Sequence, residues 1–367
     1  MKLHGLEVDA RGLAERTGDL AAAGGVRLVT MGDGVERGIR VLEFRTGSGL
    51  AFDVLVDRAM DIGAAEHAGR AFGWRSPTGF RNPALHEYAD EDGLSWLRSF
   101  SGLMVTAGLD HTLFGDEVPA DNYRYPPRRT VRHALHGRVA NIPARLAGYG
   151  ERWEGERCVL WAEGEVRQAA VFGENLRLHR RIEADLGGDE IRLTDTVRNA
   201  GFDPTPHMLL YHINLGWPLL EEGARFLAPI SATTWRTDSV AEQGVDHLVL
   251  PAPRAGFVEQ VYEHELLADA DGTTGAALVN DRLGLAVGVR WRAAELPCFF
   301  QWLNLRSGSY AVGLEPSTHH VAGDAAARRA GTMIWLEPEE TRVYRTSFRV
   351  HRGAEDFADL ERYQRPS

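Results

Sequence analysis

Close to the C-terminus, Gly313-Leu314-Glu315-Pro316-Ser317 sets a lone carboxylate in an apolar strand, and the run Cys298-Phe299-Phe300-Gln301-Trp302-Leu303 before it carries no charge. An acid is costly to bury unless something holds it, and its pKa is expected to rise toward neutrality. That is what a general base working near pH 7 requires. The same carboxylate could instead anchor the turn before Pro316. A second segment runs His207-Met208-Leu209-Leu210-Tyr211-His212-Ile213-Asn214-Leu215-Gly216-Trp217-Pro218. As a strand it puts Leu210, His212 and Asn214 on one face and Tyr211 and Ile213 on the other. An imidazole beside an amide suits the gripping and protonation of a polyol; a satisfied structural histidine is the competing reading. His207 and His212 face opposite sides, which argues against a shared metal.

Two further segments are weaker. In Leu135-His136-Gly137-Arg138-Val139-Ala140-Asn141, Gly137 allows close approach of backbone to a ligand, with His136 and Arg138 as donors to hydroxyls. A polar surface turn fits as well. In Val56-Asp57-Arg58-Ala59-Met60-Asp61, three charges follow a hydrophobic strand, implying an internal ion pair or the mouth of a polar pocket. Trp302 and Trp217 are candidate stacking platforms, and Gln301 beside Trp302 is counted as a substrate-binding candidate. Phosphate loops, dinucleotide fingerprints, His-Glu-x-x-His and Gly-x-Ser-x-Gly are all missing from the sequence. No carboxylate elsewhere stands in a context like that of Glu315, which weakens a two-acid glycosidase reading. No ligand spacing suggests a metal, and the expectation is of chemistry without metal or organic cofactor.

The elements that must position these residues are strands. Residues 26–31, 38–44, 52–56, 158–166, 175–184, 190–198, 208–215, 226–229, 285–291, 299–305, 310–314, 331–336 and 342–350 are short, rich in β-branched and aromatic residues, and separated by turns such as Gly32-Asp33-Gly34. Helices are expected only over 6–20 and 355–363. Helix–strand alternation is missing, which disfavours doubly wound and barrel folds, and about twenty strands point to a large antiparallel sandwich. One domain over 1–367 is expected, with 1–25 as an N-terminal extension and 115–132 as a possible lid loop.

With 367 residues, 44% hydrophobic and 25% charged, the chain has the composition of a soluble globular protein. A net charge of −11 argues against nucleic acid as partner. Two cysteines, Cys158 and Cys298, sit in apolar runs and read as reduced core thiols. With no secretory signal and no apolar run long enough to span a bilayer, a cytoplasmic protein without membrane contact is expected; a homodimer is possible.

In order, His136-Gly137, His212 with Asn214-Leu215, Leu314-Glu315-Pro316 and the closing run from Leu336-Glu337-Pro338 to Phe348 resemble the aldose 1-epimerase (galactose mutarotase-like) superfamily. The segments from Val56 to Gly63, 135–143, 211–219 and 313–318 resemble its DUF4432 branch. The resemblance implies an all-β supersandwich that binds a monosaccharide or sugar acid. It implies Glu315 as general base, His212 as general acid, His136 as substrate-binding partner and an arginine on the sugar, for which Arg58 and Arg98 both qualify. The sequence departs from the family pattern after His212, where Ile213-Asn214-Leu215 is shorter than usual, and this leaves substrate and reaction open. A non-catalytic sugar-binding or sensor module is one alternative. An epimerase or lyase acting on keto or uronic sugars is the other, and would need a basic pocket from Arg58, Arg98 or Arg138. With His212 as acid and Glu315 as base, a bell-shaped pH profile is expected, its alkaline limb belonging to His212.

Overall fold

In the computed structural model, which describes residues 1–121 and 128–364, the alternating segments of the sequence become the long strands of a sandwich. Asn175–Asp185 and Glu190–Asn199 pair antiparallel and bury nearly every second side chain. They belong to an eight-stranded sheet ordered Arg145–Glu154, Arg157–Ala169, Asn175–Asp185, Glu190–Asn199, Thr341–Arg352, Leu285–Arg292, Thr273–Asn280, Arg225–Leu227. The larger sheet has twelve strands. Its main path is Ile230–Arg236, Gln260–Leu266, Cys298–Asn304, Ala311–Ser317, Thr205–Gly216, Met104–Leu109, Asp61–His67, Leu50–Leu55, Arg40–Arg45, Gly25–Thr30. The main core lies between the two sheets, where Leu209, Tyr211, Ile213 and Leu314 of the larger meet Leu178, Ile182, Leu193, Val287 and Phe348 of the smaller.

A buried ion network joins the sheets within that core. Arg180 holds Asp195 through two hydrogen bonds of 2.9 and 2.6 Å and Asp61 at 2.7 Å, and Tyr211 donates to Asp195 at 2.6 Å. The charged segment 57–61 is thus structural: Asp61 serves Arg180, and Asp57 pairs with Arg40 at 2.6 Å.

The helix expected over 355–363 is present as Gly353–Phe357 continued by the 3-10 turn Ala358–Tyr363, but elsewhere the helices differ from expectation. Over 6–20 the chain forms the strand Leu6–Glu7 and only the short helix Ala10–Ala14, whose Asp9 cap accepts from the Gly12 N–H. Helix Gly323–Ala330, which the sequence did not suggest, ends at Gly331 in the left-handed region. In the possible lid loop, Glu117–Pro119 pairs with Thr130–Arg132; residues 122–127 lie outside the described residues. Both cysteines are free and buried. No helix among the described residues is long and apolar enough to cross a membrane.

Candidate active site

Strand register assembles the site. Leu210 opposite Ser317 and Ile213 opposite Leu314 set His212 opposite Glu315 across neighbouring strands, and Phe300 opposite Glu315 extends the row. Because Tyr211 and Ile213 face the core between the sheets, His212 and Glu315 point to the outer face of the larger sheet. Their side chains touch, with His212 Nε2 3.1 Å from Glu315 Oε1. Gly313 makes that contact possible: a Cβ there would lie 2.9 Å from Glu315 Oε1, 3.0 Å from Trp302 Cβ and 3.2 Å from His212 Cε1.

Burial sets the charge state of the pair. Desolvation pushes the Glu315 carboxyl well above the usual range, and the Glu259 charge adds to the rise. Desolvation pulls His212 down to about 3, opposed only by the Asn214 amide. Between the two shifted pKa values the pair is therefore a carboxylic acid beside a neutral imidazole. This reverses the order expected from ordinary values: the alkaline limb of a pH profile would belong to Glu315, and the acid limb to His212. His136 is also neutral, held well below its usual value by burial and by His212 and His111. The Leu113 N–H donates to its Nδ1 at 3.3 Å, so the proton of the neutral ring sits on Nε2.

The pair opens into a cavity of about 550 Å³. Trp74, Trp96, Phe100 and Trp302 form an aromatic wall, with Phe100 4.5 Å and Trp302 5.1 Å from the His212 ring, centroid to centroid. His136 lies on the same wall, its ring 4.5 Å from Trp96. Glu259 lines the cavity too and accepts from Trp302 Nε1 at 2.9 Å.

Glu315, His212, His136 and Trp302 thus converge on one cavity, whereas the other candidates do not line it. Arg58 is buried and donates to the carbonyls of Ala140, Arg81 and Ser99, clamping the loops that cover the site. Arg98 lies at the surface, paired with Glu91 at 2.6 Å. Arg138 stacks over Tyr88, 3.8 Å from the ring centroid. Asn214 spends its amide on the carbonyls of Gly102 and His212. Gln301, on the opposite face of its strand from Trp302, bonds His247 and His264. Trp217 is exposed and donates to Glu221. Gly137, at φ 72°, does permit a close approach, but to the carbonyls of Gly108 and His111 rather than to the cavity.

Sequence reasoning missed Glu259, Trp74, Trp96 and Phe100, which reach the cavity from covering segments and a neighbouring strand with no motif around them. It also missed two trios whose possible ligand atoms lie within 4.8 Å of one another: His111, His133 and Asp324, and Glu263, Cys298 and His320. Each trio draws on three distant segments, so no spacing along the chain announces it. None of the six lines the cavity.

A twelve-stranded sheet packed on an eight-stranded one, with the candidate site on the outer face of the larger, is a galactose mutarotase-like β-sandwich. The structure aligns over 92% of its length with 86% of a candidate aldose 1-epimerase from Klebsiella pneumoniae subsp. pneumoniae MGH 78578, with TM-score 0.82 and 26% identity. It also aligns over 89% with 98% of a galactose mutarotase-like protein from Clostridium acetobutylicum, with TM-score 0.61 and 12% identity. The chain belongs to the DUF4432 family, a domain of unknown function, whose model matches residues 36–350. No curated protein matches it significantly.

Proposed function

We propose that this protein is an aldose 1-epimerase-like enzyme acting on a neutral monosaccharide, with Glu315 and His212 as its acid–base pair. The observation that carries the reading is the 3.1 Å contact between two buried titratable groups at the mouth of an aromatic cavity. The anomeric hydroxyl and the ring oxygen of a sugar hang on the same carbon. A donor and an acceptor in contact can therefore meet both oxygens at once.

In the working form the proton of the pair lies on His212 Nε2. Glu315 takes the proton of the anomeric hydroxyl while His212 gives its own to the ring oxygen. The C1–O5 bond breaks and the aldehyde forms. Rotation about C1–C2 presents the other face, and reversal of both transfers closes the ring on the opposite anomer. The ion pair and the neutral pair hold the same number of protons, so the rate follows pH as a plateau. It ends where His212 gains a second proton or Glu315 loses the last. The His136 Nε2–H is a donor to a sugar hydroxyl, Glu259 an acceptor, and the tryptophans cover the apolar faces of the ring.

A neutral sugar is favoured because, among the described residues, no arginine or lysine lines the cavity, and a substrate carboxylate needs such a partner. The test is NMR exchange spectroscopy of anomer pairs across neutral aldoses and uronic acids. Catalysed exchange of a neutral aldose is the expected result. Saturable binding without exchange would make the protein a sugar-binding module, and exchange confined to uronic acids would refute the choice of substrate.

A further inference from the structure

His111 and His133 flank a surface hairpin, and Asp324 opens helix Gly323–Ala330; the fold brings the three together behind the cavity wall. All three are buried, with 0%, 4% and 0% of their surfaces exposed. Each directs one atom inward that has no hydrogen-bond partner: Nδ1 of His111, Nδ1 of His133 and Oδ2 of Asp324. Buried polar atoms are nearly always satisfied, so three neighbouring residues that each hold an orphan, and that can each bring a ligand atom within 4.8 Å of the others, require a common explanation.

Their chemistry narrows it. His111 Nε2 donates to the Phe114 carbonyl at 2.8 Å, which leaves a lone pair on Nδ1. Asp324 Oδ1 accepts from Arg328 Nε at 2.5 Å, which leaves Oδ2 as a second bare acceptor. The two imidazoles stack face to face at 4.7 Å with planes 4° apart. His111 Nδ1 and Asp324 Oδ2 are thus bare acceptors in one buried cluster, and a cation between them would satisfy both.

We propose that His111, His133 and Asp324 form a site for one divalent metal ion of the zinc class. Two imidazole nitrogens and one carboxylate oxygen suit zinc and its first-row neighbours, whereas magnesium and calcium prefer oxygen throughout. The Phe114 carbonyl and Arg328 are the outer partners that orient such ligands. The role is structural. Leu113 and Phe114 follow His111, Leu135 and His136 follow His133, and all four line the sugar cavity. An ion there would brace that wall against the helix, without touching the Glu315–His212 pair. The inference does not depend on the proposed activity.

The full-length protein is stripped with chelator, dialysed and titrated with Zn²⁺ by calorimetry, with metal content read by mass spectrometry and Co²⁺ as an optical probe. One ion per chain is expected, with Zn²⁺ raising the melting temperature. His111→Gln and Asp324→Asn should each weaken binding at least ~10-fold, the latter retaining the wild-type circular dichroism spectrum. A Cys298→Ser/His320→Gln variant of the second trio should bind as wild type does. Wild-type binding no tighter than that of Asp324→Asn overturns the proposal, as does loss of the ion in the Cys298/His320 variant alone.

Discussion

Replacing Glu315 by Gln keeps the side chain's size and polarity while removing its acid–base function, and the structure predicts opposite effects on rate and stability. A general base contributes on the order of 10²–10⁴-fold, or about 2.7–5.4 kcal/mol of transition-state stabilisation at 1.36 kcal/mol per decade. kcat/KM for anomer exchange should fall by that range, while sugar affinity changes little because His136, Glu259 and the aromatic wall remain. Stability should move the other way. The folded Glu315 carboxyl keeps its proton at pH values where the unfolded chain has released it, because burial raises its pKa. The folded state then binds more protons than the unfolded one, so stability falls as pH rises through that window, by about 1.36 kcal/mol per pH unit from this group alone. Glutamine has no proton to lose, so the variant should lack this slope and gain on the wild type toward alkaline pH. Polarimetry or NMR exchange gives the rate, and melting curves from pH 5 to 9 give the slope. Full activity in the variant would refute Glu315 as the base, and an unchanged pH slope of stability would refute its burial as a carboxylic acid.

Glu259→Gln should shift the alkaline limb of kcat/KM to lower pH, because the neighbouring charge that helps raise the Glu315 pKa is gone; an unmoved limb would assign that limb to another group. Gly313→Ala should cost at least ~10-fold in kcat with modest loss of stability, since its Cβ would press on Glu315, Trp302 and His212 together; wild-type kcat would mean the contact is not needed for turnover. Arg180→Met should destabilise the fold by about 3–5 kcal/mol in urea unfolding, because Asp61 and Asp195 would be left buried without a countercharge; a loss below 1 kcal/mol would show that the network carries no net stability.

Much of the architecture was legible because strands advertise themselves locally. The alternation in 175–184 and 190–198 matches Asn175–Asp185 and Glu190–Asn199 almost to the residue, since period-two patterning is the direct imprint of a half-buried strand. Met104–Leu109, buried on both faces, was missed: MVTAGL has no alternation to read and a glycine inside it. Gln260–Leu266 was missed as well, with four of its seven residues titratable.

The same division runs through the site. By itself the sequence determined the sandwich class, the strand of His212 and the apolar setting of Glu315, because each depends on residues adjacent along the chain. It also placed His212 and Asn214 on one face, which follows from strand geometry alone. Only the tertiary structure decided that His212 stands opposite Glu315, because register between strands a hundred residues apart is set by the whole sheet. It decided that Arg58, Arg98 and Arg138 turn away from the cavity, since an arginine goes wherever carbonyls, carboxylates or rings converge and its own segment does not reveal them. And it decided the proton's place: the pKa values of Glu315 and His212 cross because both are dry. Desolvation belongs to the packed molecule, and no residue carries it along the chain.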